Sequence, residues 1–313
     1  MPENQTRRIT HGAMMVALFA ILLAISTYIP VLNIVSIWFI SLPIAWYRSK
    51  YSRGSSLLVS IVSLAIAFLI GGILSLPLAV IVVLIGLVIG DAISTKKSKV
   101  FLFMSTAFTV LISIAIEYIV SVKFFNIDIL KEVITNFRES YERSNEMVKA
   151  MTGKAPISTD QLDTLVNTMQ MGMPTMITLM VFFLTFIIIS LNLPLLRRFG
   201  LEVPKFAPFR DLQLPRAFLW YYLIVLLITL FIKPDTGSFI YVVVLNLSFL
   251  LSTLFLLQGI SLIHFFMYQQ GWPKWTIVVG TILAFPLSSF VTLIGIADLG
   301  FNIRGLISGM TRK

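Results

Sequence analysis

The chain has no cysteine, two histidines in 313 residues and only 12% charged residues. Without thiols there are no disulfides, no thiol catalysis and no cysteine-based metal sites. His11 and His264 cannot furnish a histidine-rich centre, so neither a metal nor a cofactor is expected. The sequence also lacks a phosphate-binding glycine loop, a nucleophile elbow, an H-E-x-x-H pair and two carboxylates placed to face one cavity. An intramembrane protease or a lipid transferase needs at least one such set. The chain therefore reads as non-enzymatic. Acidic residues are scarce, 14 against 24 Lys and Arg, which leaves a net charge of +10. In a soluble protein that balance suggests nucleic acid. Here the basic residues sit in short linkers beside apolar runs. Membrane topology and anionic lipid account for them, and no nucleic-acid partner is expected.

What the chain has in abundance is apolar sequence: 58% hydrophobic residues and a mean hydropathy of +0.94. A bilayer core needs about 20 apolar residues per crossing helix, and eight or nine runs approach that length. The first spans about Thr10 to Ile29 and stops at Pro30. It follows Arg7 and Arg8, and no small-residue cleavage site precedes the next run, so it reads as a retained helix. The second, about Val31 to Tyr47, is the weakest, with Asn33 near its start and Pro43 inside. Runs at about Gly54–Ile70, Leu74–Ile93 and Val100–Val122 follow, with a reversal at Gly71-Gly72. Later runs cover about Met173–Leu196, Phe218–Ile232, Ser238–Tyr268 and Trp275–Ala297, the last with Pro286 in its middle.

Between the fifth and sixth runs, Lys123 to Gly172 is polar and nearly neutral, with six basic residues against seven acidic. Leu130, Val133, Ile134, Phe137, Tyr141, Val148 and Met151 recur at helical spacing and predict an amphipathic helix. Gly153 and Pro156 end it, and Ser158 with Gln161 reads as a capping box opening a second short helix. The expected architecture is an all-α polytopic bundle of eight or nine spans with an extracytoplasmic helical insertion. Its parts are a five-span bundle over 1–122, the insertion over 123–172, and a three- to four-span bundle over 173–313.

If the first seven spans alternate, Arg7/Arg8, Arg48–Arg53, Lys96–Lys99 and Arg197–Arg216 share one side. By the positive-inside rule that side is the cytoplasm, and it holds the N-terminus. In the linker before the seventh run, Phe206 and Phe209 suit the lipid interface. Nine crossings would put Arg304, Arg312 and Lys313 outside, against the rule. Either that tail is too weakly charged to matter, or Trp275–Ala297 folds back at Pro286 without crossing.

Ionisable groups inside a membrane span cost free energy unless paired, and they point to function. Glu117 lies within the fifth run, either as an interfacial carboxylate reaching Lys123 or as an outward-facing ligand contact. Asp91 closes the fourth run and reads as a solvated helix end. Asn246, Thr253 and His264, spaced by 7 and 11 residues, return to one helix face, with Gln258 on a neighbouring face. Such a stripe either lines a cavity or hydrogen-bonds a neighbouring helix. Gly86-x-x-x-Gly90 fits close helix packing, whereas Gly305-x-x-x-Gly309 lies in the tail and reads as chance. On the first run, Ala13, Ala17, Ala20, Ala24 and Thr27 form a small-residue ladder. Alanine permits close helix approach, either inside this chain or against another membrane subunit.

Several segments carry a family resemblance. The start Thr6-Arg7-Arg8-Ile9-Thr10, the alanine-rich helix, the turn Tyr28-Ile29-Pro30-Val31, the polar mid-chain segment and the ending Gly295 to Arg304 resemble the YybS-like proteins of Gram-positive bacteria. That family is a domain of unknown function. The resemblance implies a bacterial plasma-membrane protein and carries no catalytic residue. The first five or six spans also resemble the S components of energy-coupling-factor transporters. In those, an Ala-x-x-x-Ala pattern on the first helix docks a membrane coupling subunit. Ala13/Ala17 and Ala20/Ala24 match that pattern. The likeness implies a transport-related substrate-binding component and carries over no ligand-binding residue; the candidate ligand contacts are the polar residues read from the spans, Asn246, Thr253, His264 and Glu117. The other reading is a scaffold or regulator working through its outer segment and partner helices, with a coupling subunit or a second copy as partner.

Overall fold

The computed structural model describes residues 2–154, 156–204 and 207–310. Phe206 and the tail residues Arg312 and Lys313 lie outside the described residues. Among those described, the chain forms thirteen α-helices joined by short turns and by one longer linker between Arg198 and Ala217, with no strand. In a bilayer this economy is forced, because only a helix satisfies its own backbone donors and acceptors where water is absent. The termini follow the same logic. Ser52, Ser98 and Ser238 each accept a hydrogen bond from the backbone N–H three residues on, and so open the helices that follow them.

In chain order the helices are α1 (Pro2–Tyr28), α2 (Pro30–Ser36), α3 (Leu42–Lys50), α4 (Arg53–Gly71), α5 (Leu76–Ser94) and α6 (Lys99–Phe125). Then come α7 (Ile129–Thr152), α8 (Thr159–Arg198), α9 (Ala217–Leu227), α10 (Phe239–Gln269), α11 (Lys274–Ala284), α12 (Ser288–Phe301) and α13 (Ile303–Met310). Seven segments are long and apolar enough to cross a membrane, or eight if the bent pair α11–α12 counts as one. The expected eight or nine meets this count at eight. The seventh run is where they differ: its helical stretch Ala217–Ile232 falls among the shorter apolar helices, where a hydrocarbon core of about 30 Å asks for about 20 residues. The ninth run divides at Pro286 into helices bent by 111°.

The chain gathers into two compact units, residues 1–132 with 180–206, and residues 133–179 with 207–310 of the described chain. The dividing points are not those of the sequence reading, since α8 is continuous from one unit into the other. Its continuity also corrects the expected break between a short outer helix and the sixth run. Neither Gly172 nor Pro174 interrupts it. Proline removes a backbone donor and crowds the preceding turn. The amide of Asn246 on α10 brackets that place, its Nδ2 donating to Met171 O at 2.9 Å. Its Oδ1 accepts from Thr175 N at 3.3 Å and Thr175 Oγ1 at 2.7 Å.

In the first unit α3 packs along α5 over Gly86 and Gly90. A Cβ at Gly86 would stand 2.7 Å from Ser41 O, and one at Gly90 2.6 Å from Ala45 O. The small-residue pair thus lets two backbones touch, as its spacing predicts. Helix α1 buries Met15, Val16, Phe19 and Leu23. Asn192 on the second half of α8 is fully buried and donates to Trp38 O at 2.8 Å, tying down the turn between α2 and α3.

In the second unit α7 runs beside the start of α8, joined by Arg138 and Asp163 at 2.6 Å. The turn between them is held by Asn145, which donates to Ile157 O at 2.7 Å and accepts from Ile157 N at 3.2 Å. The predicted capping box is present: Ser158 N donates to Gln161 Oε1 at 2.9 Å, and Gln161 N to Ser158 Oγ at 3.3 Å. Helices α10 and α12 cross in backbone contact at Gly259 and Gly295, where any Cβ would overlap the facing carbonyls of Val291 and Phe255.

Candidate functional site

The polar stripe of α10 does not converge on one cavity. Asn246 is spent on α8, as described above. Thr253 Oγ1 donates to Phe249 O of its own helix at 2.9 Å. His264 Nε2 meets Thr281 Oγ1 of α11 at 2.8 Å, with the Phe209 ring against the imidazole. Three side chains of one face thus serve three local purposes. Glu117 belongs to the other unit. Its Oε1 is buried without a hydrogen-bond partner, and no ion pair joins it to Lys123 among the described residues.

The ladder on α1 behaves differently. Ala13 and Ala17 are exposed, Ala20 and Ala24 half-buried, and Thr27 exposed. Phe19 and Leu23, to one side of the ladder, are fully buried. The first half of the ladder, Ala13 and Ala17, is thus left facing outward beside the exposed Met14 and Ile21, while its second half is partly covered.

Two charged clusters escaped the sequence reading. In the first unit, Asp91 is a partly exposed helix end, as read, but it is also ion-paired. It accepts Nη2 of Arg48 in a close ion pair, and Nε and Nη2 of Arg53 at 2.9 and 3.0 Å. Arg48 is buried and also donates to Tyr51 O at 2.9 Å. The side chain of Arg53 is 72% exposed. The helix ends at Arg48, Arg53 and Asp91 border an open cleft of about 370 Å³ between α4, α5 and α6. The signal that could have found this was at hand: a lone acid and two arginines, all at span ends assigned to one side.

The second cluster lies in the other unit and is nearly sealed, with Asp298 4% and Arg304 5% exposed. Asp298 Oδ2 accepts from Arg304 Nε at 3.0 Å and Gln258 Nε2 at 2.6 Å. Arg304 also donates to Arg210 O at 2.7 Å and Ser261 Oγ at 2.9 Å. Ser261 Oγ donates to Phe209 O at 2.8 Å, and Leu214 N donates to Gln258 Oε1 at 3.0 Å. One acid, one base and two neutral side chains thereby bind the linker before α9 to α10, α12 and α13. A buried ion pair persists only when its remaining donors and acceptors are met in this way. No group of three or more His, Asp or Glu residues able to hold a metal occurs among the described residues.

Comparison with known proteins agrees with this architecture. Residues 17–299 match the family described as "Predicted membrane protein (DUF2232)". The chain is 29% identical over 310 residues to the uncharacterized protein YybS of Bacillus subtilis (strain 168), covering 97% of this chain and 99% of that one. No solved structure matches. The chain belongs to the DUF2232 membrane-protein family.

Proposed function

We propose that this DUF2232 member is a non-enzymatic scaffold of the bacterial plasma membrane that docks a partner helix on the alanine face of α1. The observation that carries the reading is the orientation of that helix, with Phe19 and Leu23 buried and Ala13 and Ala17 outward. In lipid, where apolar area gives no net drive, a small-residue face favours helix association through close van der Waals contact. The polar side chains of α10 support the same reading, because they are engaged in helix-to-helix and local bonds rather than left open to a substrate. The partner is another membrane subunit. Ala17→Leu is expected to abolish its co-purification while membrane insertion stays normal. Co-purification at the wild-type level refutes the proposal.

In the proposed topology the N-terminus and the basic linkers are cytoplasmic, and the α7–α8 turn projects outside. In this topology Ala217–Ile232 crosses as a short span, and Arg304 bonded to Arg210 O supports a re-entrant α11–α12 pair that returns the tail to the side of that linker. Because the chain lacks cysteine, single substitutions report sidedness directly. Leu306→Cys and Asp211→Cys should react from the cytoplasmic side and Ser140→Cys from outside; labelling of Leu306→Cys from outside contradicts the scheme.

A transport-related role, with the chain as a substrate-binding component and the partner a coupling subunit, draws on the same alanine face. Mass spectrometry of the intact complex separates the two readings: a bound small-molecule ligand favours transport, and a partner without one favours the scaffold.

A further inference from the structure

The cleft beside Arg48, Arg53 and Asp91 has a use outside partner docking. Its charged end is unbalanced. Two arginines face one carboxylate, and a third cation stands nearby, since Lys97 Nζ lies 5.5 Å from the ring centroid of Phe101, which lines the cleft. Asp91 engages two of Arg53's nitrogens, and a guanidinium has five donors, so Arg53 keeps donors for a second anion. Arg48, buried and tied to Tyr51 O, holds Asp91 in place beneath it.

The rest of the cleft is apolar in effect. Leu57, Leu87 and Val88 line it with Phe101. Ser105 and Thr109 also line it, but their hydroxyls donate to Leu102 O at 3.2 Å and Ser105 O at 2.8 Å within their own helix. They place no polar demand on an occupant. A cationic rim joined to an apolar furrow is complementary to one kind of molecule, a negatively charged head with a hydrocarbon tail. A neutral apolar ligand leaves the excess charge unanswered, and a small anion leaves the furrow empty.

The geometry points to this cleft as a binding site for an anionic phospholipid, with the phosphate at Arg53 and Lys97 and one acyl chain along Leu57, Leu87 and Val88. Basic pockets between membrane helices bind such headgroups by charge, and each cation contributes roughly a five-fold factor at an anionic surface. The proposal is independent of the alanine face and can fail without affecting it.

The test uses the full chain in a zwitterionic detergent, titrated with phosphatidylglycerol or with phosphatidylcholine of the same acyl chains, and read by native mass spectrometry. Phosphatidylglycerol is expected to bind about ten-fold more tightly. Arg53→Gln combined with Lys97→Gln should reduce that preference to near parity. Leu87→Trp, which fills the furrow without altering charge, should weaken phosphatidylglycerol binding at least five-fold; Val88→Phe serves the same purpose if the tryptophan variant does not fold. Equal affinity for the two lipids overturns the proposal. So does a furrow-filling variant that binds normally, because the lipid would then be held by surface charge alone. Displacement of the lipid by millimolar inorganic phosphate also overturns it, since the site would recognise the anion without the tail.

Discussion

The two units each contain an arginine–aspartate cluster, and they are built to opposite rules. In the second unit Asp298 and Arg304 are balanced in charge, almost fully buried and surrounded by Gln258, Ser261 and backbone carbonyls that answer their hydrogen-bonding groups. In the first unit Asp91 meets two arginines, one of them 72% exposed, at the border of an open cleft. A closed and neutral network has no capacity left for a ligand, and its role is to hold a fold. A partly open cluster with a charge in excess attracts something from outside.

The contrast can be broken by removing one member of each cluster. The largest effect is expected for Asp298→Ala, which strands the buried Arg304. It should cost about 3–5 kcal/mol of stability, read as a large fall in melting temperature in detergent. Replacing both residues by apolar ones, Asp298→Leu with Arg304→Met, should recover most of that loss, because a buried pair is roughly equivalent in stability to well-packed hydrophobic residues. If the double variant is as unstable as the single one, the cluster does more than satisfy itself. The smallest effect is expected for Arg53→Ala. Asp91 keeps its buried partner Arg48, and an exposed ion pair adds little to stability. Its melting temperature should lie within the scatter of the wild type, while lipid retention changes. A clear drop would mean that Arg53 is a structural member of the cluster, and the comparison between the units would fail.

Much of the architecture was legible from local pattern. The apolar runs marked the long helices, the Ser158–Gln161 pair opened α8, Gly86 and Gly90 marked a close crossing, and Pro286 marked the bend between α11 and α12. Each of these depends on residues within a turn or two of one another. The continuity of α8 was not legible, because Gly172 and Pro174 are local breakers and what bridges them, Asn246, is 71 residues from Thr175. The pairing of Asp91 was missed for the same reason: its partners, Arg48 and Arg53, lie 43 and 38 residues earlier. Asp298 stood out only as part of a family-like ending, and Arg304 there and as a tail charge, since nothing in the order of residues says that a tail arginine returns to Arg210.

By itself the amino-acid sequence determined that this is a helical protein of the membrane without thiol chemistry. Apolar periodicity, run length and composition are local quantities, and a bilayer leaves few other ways to satisfy the backbone. Only the tertiary structure decided which polar groups are spent and which remain available. That depends on where distant helices bring their side chains, and on whether the charges that meet there cancel. The alanine ladder shows the same division. Its spacing was plain in the sequence, but only the packing of the helix decided that Ala13 and Ala17 face outward while Ala20 and Ala24 are partly covered.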